Sequence, residues 1–297
     1  MDGIIVINKP KGCTSHDIVY KVKKITGEKV GHTGTLDPNA TGVLPLLIGK
    51  GTLLSKYLID HDKTYQVTLK LGEKTDTADS DGKVIEKQEV DKLLVERNNI
   101  ENLLNSFVGY QEQIPPMYSA IKVNGKKLYE YARKGETVAV QPRKIVIYSI
   151  KLLNINTENL EIYFEVSCSK GTYIRSLCED IANKLNTVGY MKDLKRTQVG
   201  MFYIESTITV EELEQNINNK EFINNHLITI EILFKNNKEI ILDDKKIRLF
   251  LNGVKLNYDL ENGIYKIYNY QKKFIGTGIV ENNTLKRDII IKNIENI

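Results

Sequence analysis

At 297 residues and 33.9 kDa, the chain has room for one large domain and a second, smaller one. Hydrophobic residues make up 41% and charged residues 27%, which excludes a disordered polyelectrolyte and a collagen-like repeat. The net charge of +4 and a pI of about 8.6 permit an anionic partner without requiring one.

The first residues read as a short strand, Gly3 to Asn8, closed by the turn Lys9-Pro10-Lys11-Gly12. The apolar run Ile4 to Ile7 is too short for a secretory signal, and no later run approaches the ~20 residues that span a bilayer. The expectation is a cytoplasmic protein with no membrane partner. A helix follows from about Ser15, taken as its N-cap, with Ile18, Val19, Val22 and Ile25 on one face and Gly27 as its stop. Residues 31–42 are polar, glycine-rich and without period, and Pro38 disfavours helical geometry at Asp37, so a structured loop should feed the apolar run Val43 to Ile48.

From Lys63 to Leu71, Tyr65, Val67, Leu69 and Leu71 alternate with polar residues, which predicts a half-buried strand. Thr75 to Gly82 reads as an acidic loop, a helix ends near Phe107, and Ile114 to Ala120 reads as a proline-stiffened entry to a strand. A short helix is expected over Leu128 to Arg133, then strands at Lys144 to Asn154 and Leu160 to Cys168. The next helix buries Ile174, Leu177, Cys178, Ile181, Ala182 and Leu185, leaving Arg175 off that stripe. Thr209 and Glu212 form a capping box for another helix. Asn216 to Asn225 reads as a loosely structured connection. Beyond Lys238 the texture changes to one amphipathic segment and short strands at Gly263–Asn269, Lys273–Val280 and Thr284–Ile291. Those last 60 residues hold 11 Lys/Arg against 8 Asp/Glu, a small basic β-domain.

Cys13, Cys168 and Cys178 contain no Cys-x-x-Cys pair, which argues against both a disulfide framework and a zinc knuckle. With four histidines and no metal-ligand spacing, no cofactor is expected. Arginine is scarce, seven in all, and the planar fork of donors is retained where a carboxylate or phosphate is gripped, which directs attention to Arg133, Arg143, Arg175 and Arg196. On residues alone Asp37 stays open between turn-former and reactive carboxylate, Tyr65 between core packing and a site, and Arg175 between solvated helix residue and partner of an acid. The glycine-rich loop lacks the Walker spacing that would cradle phosphate.

The run Gly31-His32-Thr33-Gly34-Thr35-Leu36-Asp37-Pro38-Asn39-Ala40-Thr41-Gly42 closely resembles the catalytic motif of the TruB family, the bacterial tRNA pseudouridine-55 synthases. Four more stretches agree in the family's order. They are residues 8–12, Lys63-Thr64-Tyr65 with Gly72 to Asp76, residues 115–120 with Lys122 and Gly125, and Cys168-Ser169-Lys170-Gly171-Thr172-Tyr173-Ile174-Arg175. The resemblance covers residues 3 to about 200, and the tail more loosely resembles a PUA-type RNA-binding domain. One departure is Lys195-Arg196-Thr197, where many relatives read Arg-Arg-Leu.

The resemblance implies an α+β pseudouridine synthase fold, with a mixed, mostly antiparallel central sheet over residues 1–236 and a PUA-like domain over 237–297. It implies an isomerase that flips the T-loop uridine of tRNA out of its stack, detaches uracil from N1 and rejoins it through C5. Asp37 then falls on the catalytic aspartate, and Tyr65 on a tyrosine that stacks on the base and helps remove the C5 proton. Arg175 falls on the arginine that pairs with the aspartate, which should keep Asp37 ionised by lowering its pKa. Tyr173 and Leu194 match the uracil pocket, and His32 a residue filling the space the base vacates. Lys9, with Pro10, matches the floor of the site, as support or as contact. The expected partner is the tRNA T-arm, bound by a monomer with no obligatory protein partner and no metal or redox cofactor. The alternative is a non-catalytic tRNA-binding or tRNA-folding protein on the same scaffold. Removing the tail should weaken RNA binding and leave the chemistry intact.

Overall fold

The computed structural model describes residues 1–58 and 61–291. Residues 292–297 of the expected C-terminal domain lie outside the described residues. Among the described residues a ten-stranded sheet forms the centre of the molecule. Its strands are β1 (Gly3–Lys9), β2 (Thr41–Ile48), β3 (Lys63–Leu71), β4 (Gly109–Gln113), β5 (Arg143–Asn156), β6 (Glu161–Cys168), β7 (Gly189–Val199) and β8 (Ile228–Thr229). They lie in the order β8-β1-β2-β7-β3-β6-β5-β4, with Val30–His32 added on β2 and Phe202–Tyr203 on β7. β7 runs parallel to β2, and the other neighbours along this path are antiparallel. The mixed, mostly antiparallel character expected of the sheet is what the chain adopts.

Helices α1 (Ser15–Thr26), α2 (Arg97–Asn105), α3 (Leu128–Ala132), α4 (Ile174–Lys184), α5 (Val210–Asn216) and α6 (Lys220–His226) surround it. The alternation in β3 is real: Tyr65, Val67, Leu69 and Leu71 are buried beside Phe164 and Val166 of β6, and the apolar stripe of α4 packs onto them. α1 and α5 close the other region of the sheet, where Ile18 and Val22 meet Ile5, Ile7 and Leu46.

Three local expectations change. The cap of α1 is Thr14, not Ser15: Thr14 accepts from the Asp17 N–H at 3.1 Å, and Asp17 accepts from the Thr14 N–H at 2.8 Å. The stretch Asn216 to Asn225 is not a loose connection, because the Asn219 side chain caps α6 by accepting from the N–H groups of Glu221 and Phe222. β7 went unpredicted because bulges at Met191/Asp193 and Arg196/Gln198 break its two-residue period, so the buried positions fall at 189, 191, 194, 196 and 199.

A second, five-stranded sheet begins at Glu239, with strands β9 (Glu239–Leu242), β10 (Leu256–Asn257), β11 (Gly263–Asn269), β12 (Phe274–Glu281) and β13 (Thr284–Ile290) in the order β9-β11-β12-β13-β10. Helix α7 (Asp244–Leu251) fills its concave side with Ile247 and Phe250. This unit is docked onto the first. Tyr268, Phe274 and Ile289 share one apolar cluster with Ile4, Val43, Leu47 and Phe202, and the buried Asp288 accepts from Tyr57 at 2.6 Å and from Thr277 at 2.8 Å while also pairing with Lys56. Deleting the chain from Lys238 therefore uncovers core. The thermal midpoint of the truncated protein should fall by several degrees, at ~2–4 °C per kcal/mol lost for a chain of this size. An unchanged midpoint would show that the docking contributes nothing.

Candidate active site

The sheet's centre sets the site. β2, β7 and β3 are adjacent, and their registers align Gly42 with Arg196 and Arg196 with Tyr65. Gly42 has φ +102°, and a Cβ there would sit 2.1 Å from the Arg196 carbonyl oxygen, so only glycine lets the loop of residues 33–40 enter β2 at this point. Arg196 itself is almost wholly buried, donating from Nε to the Val43 carbonyl at 2.8 Å and from Nη2 to the Gly34 carbonyl at 3.0 Å. A guanidinium in the core explains why the charged run Lys195-Arg196 gave no sign of a central strand.

Below the loop, Lys9 has no exposed surface, and its ammonium donates to the carbonyls of Pro10, Pro38 and Ala40 at 2.9, 2.9 and 2.7 Å. Burial pushes its pKa down, while the nearby Cys13 and Asp37 pull it back. All three ammonium protons are used on backbone, so Lys9 lies beneath the loop and braces it from below. The Gly12 N–H adds a bond to the Pro38 carbonyl at 3.0 Å, and the Ser15 hydroxyl meets both polar groups of the Leu36 backbone.

So held, Asp37 faces Arg175, whose Nε lies 3.2 Å from Oδ2 and whose Nη2 donates to Oδ1 at 3.4 Å. The same guanidinium donates to the Tyr118 carbonyl at 2.9 Å and the Thr77 carbonyl at 3.4 Å, and pairs with Asp79 at 3.5 Å. Arg175 is thus buried between two carboxylates, a role open to the fork of arginine and not to a point charge. Asp79 is in turn fixed by the Thr77 hydroxyl at 2.6 Å and the Asp81 N–H at 3.1 Å. Sequence reasoning missed Asp79 inside the acidic loop. No local pattern in residues 75–82 marks Asp79 apart from Asp76 and Asp81.

The electrostatics correct one expectation. The Asp37 carboxyl is raised above its ordinary value, because burial outweighs Arg175, and Asp79 and Asp81 reinforce the rise. Tyr65 is pushed up to about 12 by burial, with the Arg196 guanidinium beside the phenol opposing that shift. His32 is lowered by burial and then by Arg196, so its ring is neutral at pH 7, with Nδ1 accepting from the Gly34 N–H at 3.3 Å.

Around Asp37 opens a cleft of about 800 Å³, which Asp37, Tyr65, Arg175, His32, Tyr173 and Leu194 all line. Of the expected site residues, Lys9 alone lies beneath this surface. Tyr173 is locked by Gln113, a buried side chain that sequence reasoning missed: Gln113 accepts from the Tyr173 N–H at 2.8 Å and donates to its carbonyl at 3.0 Å. Lys127 and Tyr129 reach the cleft from the start of α3, with Arg133 stacked 5.2 Å from the Tyr129 ring. Of the four arginines singled out, two are therefore in the site and one near its rim. Arg143 starts β5, exposed. Among the described residues no group of three or more His, Cys, Asp and Glu is arranged to hold a metal ion, and no helix is long and apolar enough to cross a membrane.

Two family profiles match the chain, TruB family pseudouridylate synthase (N terminal domain) over residues 21–174 and tRNA pseudouridylate synthase B C-terminal domain over residues 175–235. A protein of Clostridium kluyveri named tRNA pseudouridine synthase B is 44% identical over 286 residues, 94% of this chain and 96% of its own length. One of the same name from Caldanaerobacter subterraneus is 41% identical over 289 residues, 96% of this chain and 98% of its own. Among solved structures, an H/ACA RNP bound to a substrate RNA containing 2′-deoxyuridine superposes with TM-score 0.69 over 99% of this chain and 86% of the other, and a Cbf5-Nop10-Gar1 complex with TM-score 0.67 over 98% and 84%. At 21% and 24% identity these two show the shared fold. Sequence motifs, fold, cleft and relatives agree, and the chain belongs to the TruB family of pseudouridylate synthases.

Proposed function

We propose that this protein converts a uridine of tRNA, the T-loop uridine at position 55, into pseudouridine, with Asp37 as the catalytic carboxylate. The observation that carries the reading is Asp37, paired with Arg175 in a cleft walled by Tyr65, Tyr173 and Leu194. The isomerisation breaks the bond from N1 to C1′, forms one from C5 to C1′, and moves a proton from C5 to solvent while N1 gains one. Atoms and electrons balance without oxidant or net hydrolysis. What the site must supply is a carboxylate beside the ribose, flat walls for a flipped base, and a proton acceptor at C5.

Tyr65 supplies a wall and, with Arg196, the acceptor. Burial favours its protonated phenol, so to act as acceptor it first gives that proton to solvent, and Arg196 is the group placed to stabilise the phenolate that then takes the C5 proton. Tyr65→Phe should bind tRNA normally yet slow single turnover by roughly 10²-fold, the lower range for a lost general base. Tyr65→Leu should also weaken binding through the lost stacking surface. Equal rates for Phe and wild type would reduce Tyr65 to a wall.

Lys127, Tyr129 and Arg133 beside the cleft, and the basic unit beyond Glu239, suit a phosphate backbone. Affinity for tRNA should fall with salt, log K against log[salt] sloping by about −0.7 to −0.9 per phosphate contacted. We place the functional division at 236/237, a monomer as the working form, and the cytoplasm, where tRNA is modified, as its location. The deciding assay is purified protein on unmodified tRNA transcript with no guide RNA or partner, where one pseudouridine should appear in the T-loop. Binding without conversion would leave a tRNA-folding protein, and conversion only with guide RNA and partner proteins would place the chain in a particle like that of its structural neighbours.

A further inference from the structure

Ser15 lines the edge of the cleft, and its hydroxyl does work that helix formation does not explain. It is the first residue of α1, yet Thr14 and Asp17 already satisfy the helix start between them. Its hydroxyl is therefore free of the usual task of a serine at a helix N-terminus. It turns inward instead, 1% exposed, to a residue 21 positions later. There it accepts from the Leu36 N–H at 2.8 Å and donates to the Leu36 carbonyl at 3.1 Å. One hydroxyl can donate once and accept as well, so both of its capacities are spent on a single backbone residue.

That residue directly precedes Asp37. With both polar groups of Leu36 held by one oxygen, and its side chain 3% exposed in the largest core cluster, rotation of the backbone at the N-terminal side of Asp37 is blocked. The C-terminal side is blocked separately, through Pro38 and Ala40, by Lys9 and Gly12. We infer that Ser15 is a positioning residue for Asp37, its hydroxyl clamping Leu36 so that the carboxylate is aimed into the cleft toward Arg175. This rests on the catalytic reading of Asp37 given above.

Without the hydroxyl, the Leu36 N–H and carbonyl lose their partners in a dry place, and the carboxylate gains freedom and water. A misplacement of about 1 Å at a reacting group can cost ~10²-fold in rate. The groups facing Asp37 are Arg175 from α4, Asp79 and Asp81 from the acidic loop, Lys9 from β1, Tyr65 from β3 and Arg196 from β7, and Ser15→Ala changes none of their charges. Since burial is the leading cause that raises the Asp37 carboxyl, a better hydrated carboxylate should titrate lower, and the acid limb of the rate profile should move to lower pH.

The experiment compares full-length wild type, Ser15→Ala and Asp17→Ala on unmodified tRNA transcript, by single turnover at saturating enzyme across pH, alongside tRNA affinity and thermal midpoint. Asp17→Ala weakens the start of α1 without touching the clamp, so it should lose stability and keep its rate. Ser15→Ala should lose ~10- to 100-fold in rate, hold its affinity within about twofold, and shift its acid limb downward. If Ala does not fold, Ser15→Cys, similar in size but a weaker hydrogen-bonding group, should show the same changes in smaller measure. A Ser15→Ala rate within about threefold of wild type, or a loss that follows the thermal midpoint as in Asp17→Ala with the acid limb unmoved, overturns the inference and leaves the catalytic reading standing. Failure of the wild type to convert tRNA removes both.

Discussion

Asp37→Asn is expected to abolish pseudouridine formation, by at least ~10³-fold in single turnover, with tRNA affinity and thermal midpoint close to wild type. The amide is nearly isosteric and keeps an oxygen for Arg175, but it can neither attack carbon nor accept a proton. The change also relieves a buried carboxylate already raised by its surroundings, so no loss of stability is expected to confound the rate. Turnover within tenfold of wild type would move the catalytic role to another group.

Arg175→Met is expected to lower the rate by roughly 10²-fold at neutral pH, on the scale of losing one preorganised donor from an active site. The sign of its pH dependence follows from the contacts. Arg175 is the main influence holding the Asp37 carboxyl down, against burial and the charges of Asp79 and Asp81. Removing it raises that carboxyl further, so less of the enzyme carries ionised Asp37 at a given pH, and the acid limb moves to higher pH. Raising the pH should recover part of the activity. Arg175→Lys should fall between the two, because an ammonium keeps the charge but cannot span Asp37, Asp79 and the Tyr118 carbonyl together. An unmoved limb in Arg175→Met would mean that Asp37 is not the group the profile reports.

Much of this was legible in the residues. Strands β3 and β6 and the apolar stripe of helix α4 follow their periods so closely that their buried apolar positions could be named in advance, whereas the burial of Arg175 and Ser176 in α4 follows from tertiary contacts. Six of the seven expected site residues line one cleft. The rest was hidden for identifiable reasons. β7 carries two bulges and a buried arginine, so the strand that joins Asp37 to Tyr65 has neither the alternation nor the composition of a core strand. Asp79 and Gln113 act through single long-range contacts that leave no local pattern. Ser15 was misplaced by one position because Thr14 and Ser15 are equally good caps, and only the Thr14–Asp17 reciprocity separates them. Lys9 suits floor and contact equally in sequence, and its burial with three carbonyl partners is not visible from its neighbours in the chain.

The pairing of Thr41 and Gly42 with Lys195 and Arg196 also bears on how the protein is made. A growing chain that has reached residue 170 contains Asp37, Tyr65 and most of the core, yet has no β7 to lie between β2 and β3. Its largest sheet is then two separate pieces, each with an exposed edge able to pair with the wrong partner. The first strand waits longer still, because its outer neighbour is residues 228–229 and its apolar cover includes Phe274 and Ile289. Closing loops of this length before the contacts reward them is slow. Nascent chains stalled short of about residue 200 should therefore be protease-sensitive and inactive, and competence should appear abruptly as the last third of the chain emerges.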